Sequence, residues 1–94
     1  MPLNSYRDEA GEFMDRIGAK KGAGEIFPMI DEELALLRAA QGDAQAERHQ
    51  IYDLLFLLFE AAAIGGYDLD EEWRRGRARK REKYPGVTVK PKTD

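Results

Sequence analysis

One stretch of the sequence, residues 44–64, is apolar on two sides at helical spacing, and it constrains the fold more than any other. One stripe holds Ile51, Leu54, Leu55, Leu58 and Ala62, and the second holds Tyr52, Phe56, Phe59 and Ala63. A helix that is apolar on two sides needs cover on both, which a 94-residue monomer supplies with difficulty. We therefore expect a helical bundle that is completed by homo-oligomerisation, as a dimer or a tetramer.

Three further helices are predicted, at about 5–18, 25–41 and 69–83. Ser5 has the position of an N-terminal cap for the first, and Gly22 suits the position just after its end. Pro28 fits the first turn of the second helix, where a missing N–H costs least. Asp43 follows a glycine and is expected to cap the helix at 44–64.

The end of the chain contains strong helix-ending signals. Gly65-Gly66 ends the third helix, Asp68 and Glu71 have the spacing of caps for the fourth, and Pro85-Gly86 stops it. The predicted fold class is all-α, with four helices in a single domain at 1–86. Residues 87–94 are expected to form a C-terminal tail or short arm.

Composition excludes several classes of protein. The chain has no cysteine and a single histidine, His49, so neither a thiolate nor a histidine-rich zinc site can form. The longest apolar stretch, 51–64, is interrupted by Asp53 and Glu60 and is shorter than the ~20 residues of a membrane span. No signal-peptide pattern opens the sequence, and we expect a cytoplasmic protein with no membrane partner.

Charge is divided along the chain. Residues 1–72 hold six basic and sixteen acidic side chains, a net charge of −10, whereas residues 73–94 hold nine basic and two acidic ones, a net charge of +7. An acidic half can bind divalent cations, and a basic end can bind phosphates or neutralise the acidic half. Both interpretations stay open on charge alone.

Asp53 is the residue that most needs a chemical explanation. It lies between two apolar stripes, where a carboxylate loses hydration that a cation or hydrogen bonds must replace. Gln50 and Glu60 share its polar strip, at steps of three and seven. Asp53 is therefore either a metal ligand or a buried polar group bonded to Tyr6, Tyr67 or an arginine.

The preceding helix carries three consecutive acids, Asp31, Glu32 and Glu33, of which only one or two can point toward Asp53. Glu25 lies seven residues before Glu32, on roughly the same face. Carboxylates from two helices, without histidine or cysteine, suit an oxygen-preferring ion such as Mg²⁺ or Mn²⁺. The alternative is that Asp31 and Glu33 are simply solvated.

Four segments of the sequence carry a family resemblance. Residues 31–40 read DEELALLRAA, 50–58 read QIYDLLFLL, 65–72 read GGYDLDEE and 80–86 read KREKYPG. Together they resemble the MazG-like all-α NTP pyrophosphatase superfamily, which includes phosphoribosyl-ATP pyrophosphatases, over about residues 25–86. The resemblance implies a Mg²⁺-dependent hydrolase that converts a nucleoside triphosphate to a monophosphate and pyrophosphate.

The family's E-x-x-E and E-x-x-D motifs imply the site residues. In that register Glu32 and Asp53 match, whereas Ala35 and Gln50 replace carboxylates. Glu33, Glu25 or Glu60 would then have to substitute, with Gln50 still able to offer an oxygen. The resemblance thus implies Glu32, Asp53 and Glu33 as catalytic residues, and Glu32, Asp53, Gln50 and Glu60 as metal ligands.

The basic stretch at 74–83 has several interpretations. The family resemblance assigns Arg77, Lys80 and Lys83 to the nucleotide phosphates. Nucleic-acid binding is a rival, but a net charge of −3 argues against a dedicated nucleic-acid-binding protein. A third interpretation is a solvated helix end that closes on the acidic half of a partner subunit. Trp73 is expected to anchor in the core rather than to stack on a base.

Two functional classes therefore follow from the sequence. The first is the Mg²⁺-dependent nucleotide pyrophosphohydrolase. The second is a non-catalytic helical module that kept the fold, lost the metal site and binds a nucleotide or a protein. The departures at Ala35 and Gln50 favour the second class, and dependence on magnesium separates the two.

Overall fold

A computed structural model of the chain describes residues 2–19, 22–87 and 89. Four α-helices account for most of them: α1 (Leu3–Arg16), α2 (Ala23–Ala39), α3 (Ala44–Gly65) and α4 (Leu69–Lys83). The described residues contain no strand. The all-α prediction with four helices is thus confirmed, and the predicted helix boundaries differ from the observed ones by two residues or fewer.

The longest helix, α3, lies between α1 and α2 and packs against both. The buried apolar side chains come from all three helices: Ala10, Met14, Ile26, Leu57 and Ala62. A Cβ added to Gly11 of α1 would lie 2.9 Å from the Cβ of Ala63, so this glycine permits the close approach of α1 to α3. Leu57 belongs to neither stripe named from the sequence, yet it is the most buried leucine of α3.

Two aromatic contacts join α1 to α3. The Tyr6 and Phe59 ring centroids lie 5.8 Å apart, and the Phe13 and Phe56 rings meet edge to face at 5.7 Å. Such aromatic pairs add about 0.5–1.5 kcal/mol beyond their buried area. They attach one flank of α1 firmly to α3.

The start of α1 differs from the prediction. The helix begins at Leu3 with Pro2 in the N-cap position, so Ser5 lies inside the first turn and does not cap it. The cap comes instead from α4, because the Leu3 N–H donates to Asp70 Oδ1 at 2.9 Å. In return, the Leu69 N–H at the start of α4 donates to Asn4 Oδ1 at 2.7 Å. The N-termini of α1 and α4 therefore cap each other.

Two more contacts complete this junction, which we call the α1–α4 clasp (Asn4, Arg7, Asp68 and Asp70). Asn4 Nδ2 donates to Asp68 Oδ1 at 2.9 Å. Arg7 Nη1 donates to the Tyr67 carbonyl oxygen at 2.7 Å. Since the positive ends of two helix dipoles meet here, the carboxylates of Asp68 and Asp70 stabilise the junction electrostatically.

The glycines between α1 and α2 have different roles from those predicted. Gly18, with φ of +70°, takes the left-handed position after α1 that was assigned to Gly22. Gly22 is instead the N-cap of α2, and its N–H donates to Glu25 Oε1 at 3.3 Å. Because α2 begins at Ala23, Pro28 lies in the second turn rather than in the first.

The predicted caps of α3 and α4 are confirmed. Asp43 Oδ1 accepts the Ala46 N–H at 3.2 Å, and Asp68 Oδ1 accepts the Glu71 N–H at 3.0 Å. Gly66, with φ of +67°, ends α3 in the left-handed conformation that favours glycine. These local signals fix where each helix starts and stops.

Unlike the other helices, α4 has no buried residue and packs chiefly against α1. Trp73, expected in the core, is 51% exposed. Among the described residues, no helix is long and apolar enough to cross a membrane. Most of the predicted tail at 87–94 lies outside the described residues, and its described members Val87 and Val89 are exposed.

We expect Asn4→Ala to lower the free energy of unfolding by about 1–2 kcal/mol, because it removes the acceptor of the Leu69 N–H at the start of α4 and the bond to Asp68. Urea denaturation followed by circular dichroism measures this. Ser5→Ala is the matched control and should change stability by less than about 0.5 kcal/mol. A larger loss for Ser5→Ala than for Asn4→Ala would contradict the assignment of the cap.

The clasp also predicts a pH dependence. The hydrogen bond from Asn4, followed by that from the Glu71 N–H, holds the pKa of Asp68 below its ordinary value of 3.8. A carboxyl whose folded pKa is lowered stabilises the fold above its unfolded pKa, and this contribution is lost as the pH falls through the folded value. Between about pH 5 and pH 3, the melting temperature of Asp68→Asn should therefore fall less than that of wild type. Equal slopes would contradict the assignment.

Candidate functional site

The side of α2 that packs against α3 carries a glutamate at its centre. Ile26 is buried, and Ile30, Glu33 and Leu37 follow it at helical steps of four, three and four, all partly covered. Glu32, the residue favoured by the family register, is exposed and lies about 100° around the helix from Glu33. The structure thus brings Glu33, rather than Glu32, to the α2–α3 contact.

Gln50 of α3 is expected to lie opposite Glu33, from the positions of the two residues along their helices. Glu33 lies six residues before the end of α2 and Gln50 six residues after the start of α3, so the antiparallel hairpin places them at the same level. One buried side-chain oxygen of each, Glu33 Oε2 and Gln50 Oε1, has no hydrogen-bond partner among the described residues. Buried acceptors without a partner are rare in folded proteins and often mark a bound ion or water. We call Glu33, Gln50 and Asp53, which lies one turn after Gln50 on α3, the α2–α3 oxygen site.

Asp53 contacts His49, which was not among its predicted partners. His49 Nε2 lies 3.1 Å from Asp53 Oδ2. Among the described residues, no ion pair or hydrogen bond joins Asp53 to Tyr6, Tyr67 or an arginine, the partners predicted as alternatives. The side chain of Asp53 is 34% exposed, so it is accessible to a ligand. The i, i+4 spacing of His49 and Asp53 on one helix was the signal that could have indicated this pair.

Glu60 lies apart from Gln50 and Asp53, toward α1. It is 2% exposed and lines a cleft of about 570 Å³ between α1 and α3. Asp8, Glu12 and Asp15 of α1 line the same cleft. The structure therefore places Glu60 in an acidic cleft beside α1. The polar strip predicted on α3 is thus divided, because Glu60 faces α1 whereas Gln50 and Asp53 are assigned to the α2 side.

The described residues contain no group of three or more histidine, aspartate or glutamate side chains placed to hold a metal ion. Glu25 does not supply the missing carboxylate, because its side chain accepts from the Gly22 N–H. The α2–α3 oxygen site offers at most two carboxylates and one amide oxygen. Mg²⁺ is commonly bound by one or two carboxylates together with water and phosphate oxygens, so this set fits a metal that arrives with a nucleotide.

Helix α4 separates its basic residues into two groups. Arg74 and Arg75 pair with Glu71, and Arg79 pairs with Glu72, all within the helix. The bond from Arg74 lowers the pKa of Glu71 and raises that of Arg74. In the described part of the chain, no ion pair involves the other group, which consists of Arg77, Lys80, Arg81 and Lys83.

Three of these four cations, Arg77, Lys80 and Lys83, are the ones that the family resemblance assigned to phosphates. Within residues 22–87, no ion pair or hydrogen bond joins them to Glu33, Gln50 or Asp53. Lys83 lies with its Nζ 5.6 Å from the centre of the exposed Tyr84 ring. The structure thus leaves these cations available to an anion without bringing them to the α2–α3 oxygen site.

Comparison with known proteins gave no relative: no family model matches this chain, and neither a curated protein nor a solved structure matches it. The resemblance to the MazG-like superfamily accordingly rests on sequence segments alone. Its two departures differ in position, because Ala35 is exposed on α2 whereas Gln50 is partly buried at the α2–α3 contact.

Because Glu33 has a buried oxygen without a partner, replacing this side chain should raise the stability of the protein and weaken its binding of a metal and nucleotide. Glu33→Met should be more stable than wild type in metal-free buffer, by about 1 kcal/mol, because a buried acceptor without a partner is removed. The variant should also lose any rise in melting temperature caused by Mg²⁺ and a nucleotide. Thermal denaturation with and without both ligands measures the two effects.

Glu32→Met, at an exposed position of the same helix, is the control and should alter neither quantity appreciably. A Glu33→Met variant that is clearly less stable than wild type without metal would show that the carboxylate is already satisfied, and would count against the site.

Proposed function

We propose that this chain is a Mg²⁺-dependent nucleotide pyrophosphohydrolase that binds its nucleoside triphosphate at the α2–α3 oxygen site. The observation that carries the proposal is the pair of buried, unpartnered oxygens of Glu33 and Gln50 on facing helices, beside the accessible carboxylate of Asp53. Such acceptors suit a hard cation, Mg²⁺ or Mn²⁺. When bound, the ion offsets phosphate charge and polarises the phosphoryl group that is attacked.

Each residue of the site has a separate task in this proposal. Glu33 and Asp53 would hold the cation, and Gln50 would offer a neutral oxygen. His49, in contact with Asp53, keeps that carboxylate in one orientation. Water supplies the oxygen that bonds to the α-phosphorus, the α–β bridging bond breaks, and pyrophosphate leaves. A carboxylate of the site accepts the proton of the water.

The charges of α4 support a phosphate-bearing substrate. Arg74, Arg75 and Arg79 are engaged by glutamates of the same helix, but Arg77, Lys80, Arg81 and Lys83 are not. Cationic side chains of this kind form strong charge-assisted hydrogen bonds to phosphate oxygens. Glu60 and Glu32, also predicted as site residues, have a weaker position, since one lies in the cleft of α1 and the other is exposed.

A second candidate is a non-catalytic nucleotide-binding or protein-binding module. It is favoured by a different observation, that within the described residues no three acidic or histidine side chains form a metal-binding group. A site with a single cation and few charges can bind a nucleotide without activating water. Homo-oligomerisation, as a dimer or tetramer, belongs to both candidates.

Pyrophosphate release from a panel of NTPs and dNTPs, with Mg²⁺ or Mn²⁺, tests the proposal. We expect release by wild type, no release by Asp53→Ala, and a loss of at least about 100-fold for Glu33→Gln, because a displaced cation misaligns the phosphate. Asp31→Ala, which removes an exposed carboxylate of α2, is the matched control and should stay near wild type.

Glu32→Gln decides between the two glutamates. A loss confined to Glu33→Gln supports the site as the structure places it, and a loss confined to Glu32→Gln would return the ligand to the family register. Absence of release with every nucleotide, together with a nucleotide-induced rise in melting temperature, would replace the enzyme by the binding module.

A further inference from the structure

Most of the ion-paired side chains of α4 lie on one side of the helix. Glu71 pairs with Arg75 and Glu72 pairs with Arg79. At about 100° per residue, all four lie at least about 120° around the helix from Arg77. The side of α4 around Arg77 is therefore distinct from the side on which acids and bases neutralise each other.

The side around Arg77 combines cations with aromatic rings. Its members recur at steps of four, three, one and three residues, which is the spacing of one face of a helix. We call it the cation–aromatic face; it consists of Trp73, Arg77, Lys80, Arg81 and Tyr84. The Tyr84 N–H donates to the Lys80 carbonyl oxygen at 2.9 Å, so the backbone keeps its helical turn up to the last of them.

The cation–aromatic face is open to a ligand. The rings of Trp73 and Tyr84 are 51% and 52% exposed. Lys80 and Arg81 are exposed, and Arg77 is partly covered. In the described part of the chain, none of the three cations takes part in an ion pair. Both kinds of side chain are therefore presented to solvent on the same side of α4.

The local charge of the cation–aromatic face is positive, although the whole chain carries −3. Asp70, a carboxylate on the same side of α4, accepts the Leu3 N–H at 2.9 Å in the α1–α4 clasp and pairs with no arginine or lysine of the described residues. Three cations against one carboxylate leave a net positive surface, which attracts an anion.

Rings that bracket cations on one face suit a ligand that has both bases and phosphates. Aromatic side chains stack on nucleobases of any sequence, while cations offset the charge of the backbone. From Trp73 to Tyr84 the face is about 16 Å long, at about 1.5 Å per residue. A strand with one phosphate per ~3.4 Å presents roughly five phosphates over that length. The face is therefore longer than the phosphates of one nucleoside triphosphate require.

Other polyanions match this face less well. A helix that lies on a membrane needs a broad apolar side, and the apolar side chains of α4 are only Leu69, Trp73 and Ala78. A duplex keeps its bases stacked inside, so exposed rings cannot stack on them. Single-stranded nucleic acid is the ligand that uses both the rings and the cations.

We propose that the cation–aromatic face of α4 binds single-stranded nucleic acid. Bases stack on Trp73 and Tyr84, and phosphates contact the three cations between them. This mode of binding is largely independent of sequence. The proposal does not depend on nucleotide hydrolysis, because the face is separate from the α2–α3 oxygen site. Asp53→Ala should therefore bind a single strand as tightly as wild type does.

Trp73 is the only tryptophan of the chain, so its fluorescence reports on this face. Titration of the full chain with an oligothymidylate of about 20 nucleotides should quench this fluorescence, because a base stacks on the indole. A plot of log affinity against log salt concentration should have a slope of about −2, as expected for three phosphate contacts with a single strand. Absence of binding at about 100 µM chain, or binding without quenching, would overturn the proposal.

Two double variants test whether the face, rather than net charge, attracts the strand. Arg77→Gln with Lys80→Gln removes two cations from the face, and Arg75→Gln with Arg79→Gln removes two from the opposite side. Fluorescence anisotropy of labelled oligothymidylate should show a loss of affinity of at least about tenfold for the first and of less than about threefold for the second. Equal losses would overturn the proposal.

Helical circular dichroism checks that both double variants are folded. If the first is not, Lys80→Gln with Arg81→Gln replaces it, since both side chains are exposed on the same face. The same result is expected from this pair.

Three other ligands separate the classes of polyanion. Inorganic polyphosphate supplies phosphates without bases, a duplex supplies bases that are already stacked, and vesicles of phosphatidylserine and phosphatidylcholine supply an anionic surface. Oligothymidylate should bind at least about tenfold more tightly than polyphosphate of equal charge, because stacking adds to the phosphate contacts. Equal or tighter binding of polyphosphate or of the duplex, or binding of the vesicles alone, would overturn the proposal.

Discussion

The packing of α1 and α2 against the two flanks of α3 is the constraint on which the other features depend. Among the described residues, α1 and α2 cover two sides of α3 and leave two other sides uncovered. One of these sides bears Leu55 and the other bears Asp53. Close approach of α1 is possible because Gly11 lies against Ala63. The remaining helix, α4, is attached through the α1–α4 clasp, by capping rather than by burial of apolar surface.

The protein therefore has an apolar surface and a polar surface on different sides of α3. One side of α3 exposes the apolar side chains of Ile51, Leu55 and Leu58 and no charge among them. The opposite side of α3 offers oxygen atoms and acidic side chains, and the cations that lack an ion pair lie separately, on α4. Burying Glu33 and Gln50 without partners costs stability, which is the usual sign that such groups are retained for binding.

The sequence predicted those features whose cause is local. Asp43 and Asp68 cap helices by bonds to residues three positions away, and Gly66 ends α3 by its own conformation, so all three were predictable. The prediction that Ser5 caps α1 was wrong, because the Leu3 N–H at the start of this helix donates to Asp70, 67 residues later in the chain. Glu33 and Glu32 are neighbours in sequence, and only the packing of α2 distinguishes the partly buried one from the exposed one. The partner of Asp53 was missed although His49 lies on the same helix.

We propose that the α2–α3 oxygen site, and not the acidic cleft at Asp8, Glu12 and Asp15, holds the divalent cation. Paramagnetic broadening by Mn²⁺ in a ¹⁵N–¹H correlation spectrum of the nucleotide complex locates the ion directly. We expect the amides around Glu33 and around Gln50 to Asp53 to broaden first, and this effect to disappear in Glu33→Gln. Broadening centred on the cleft of α1, or unchanged by Glu33→Gln, would contradict the claim.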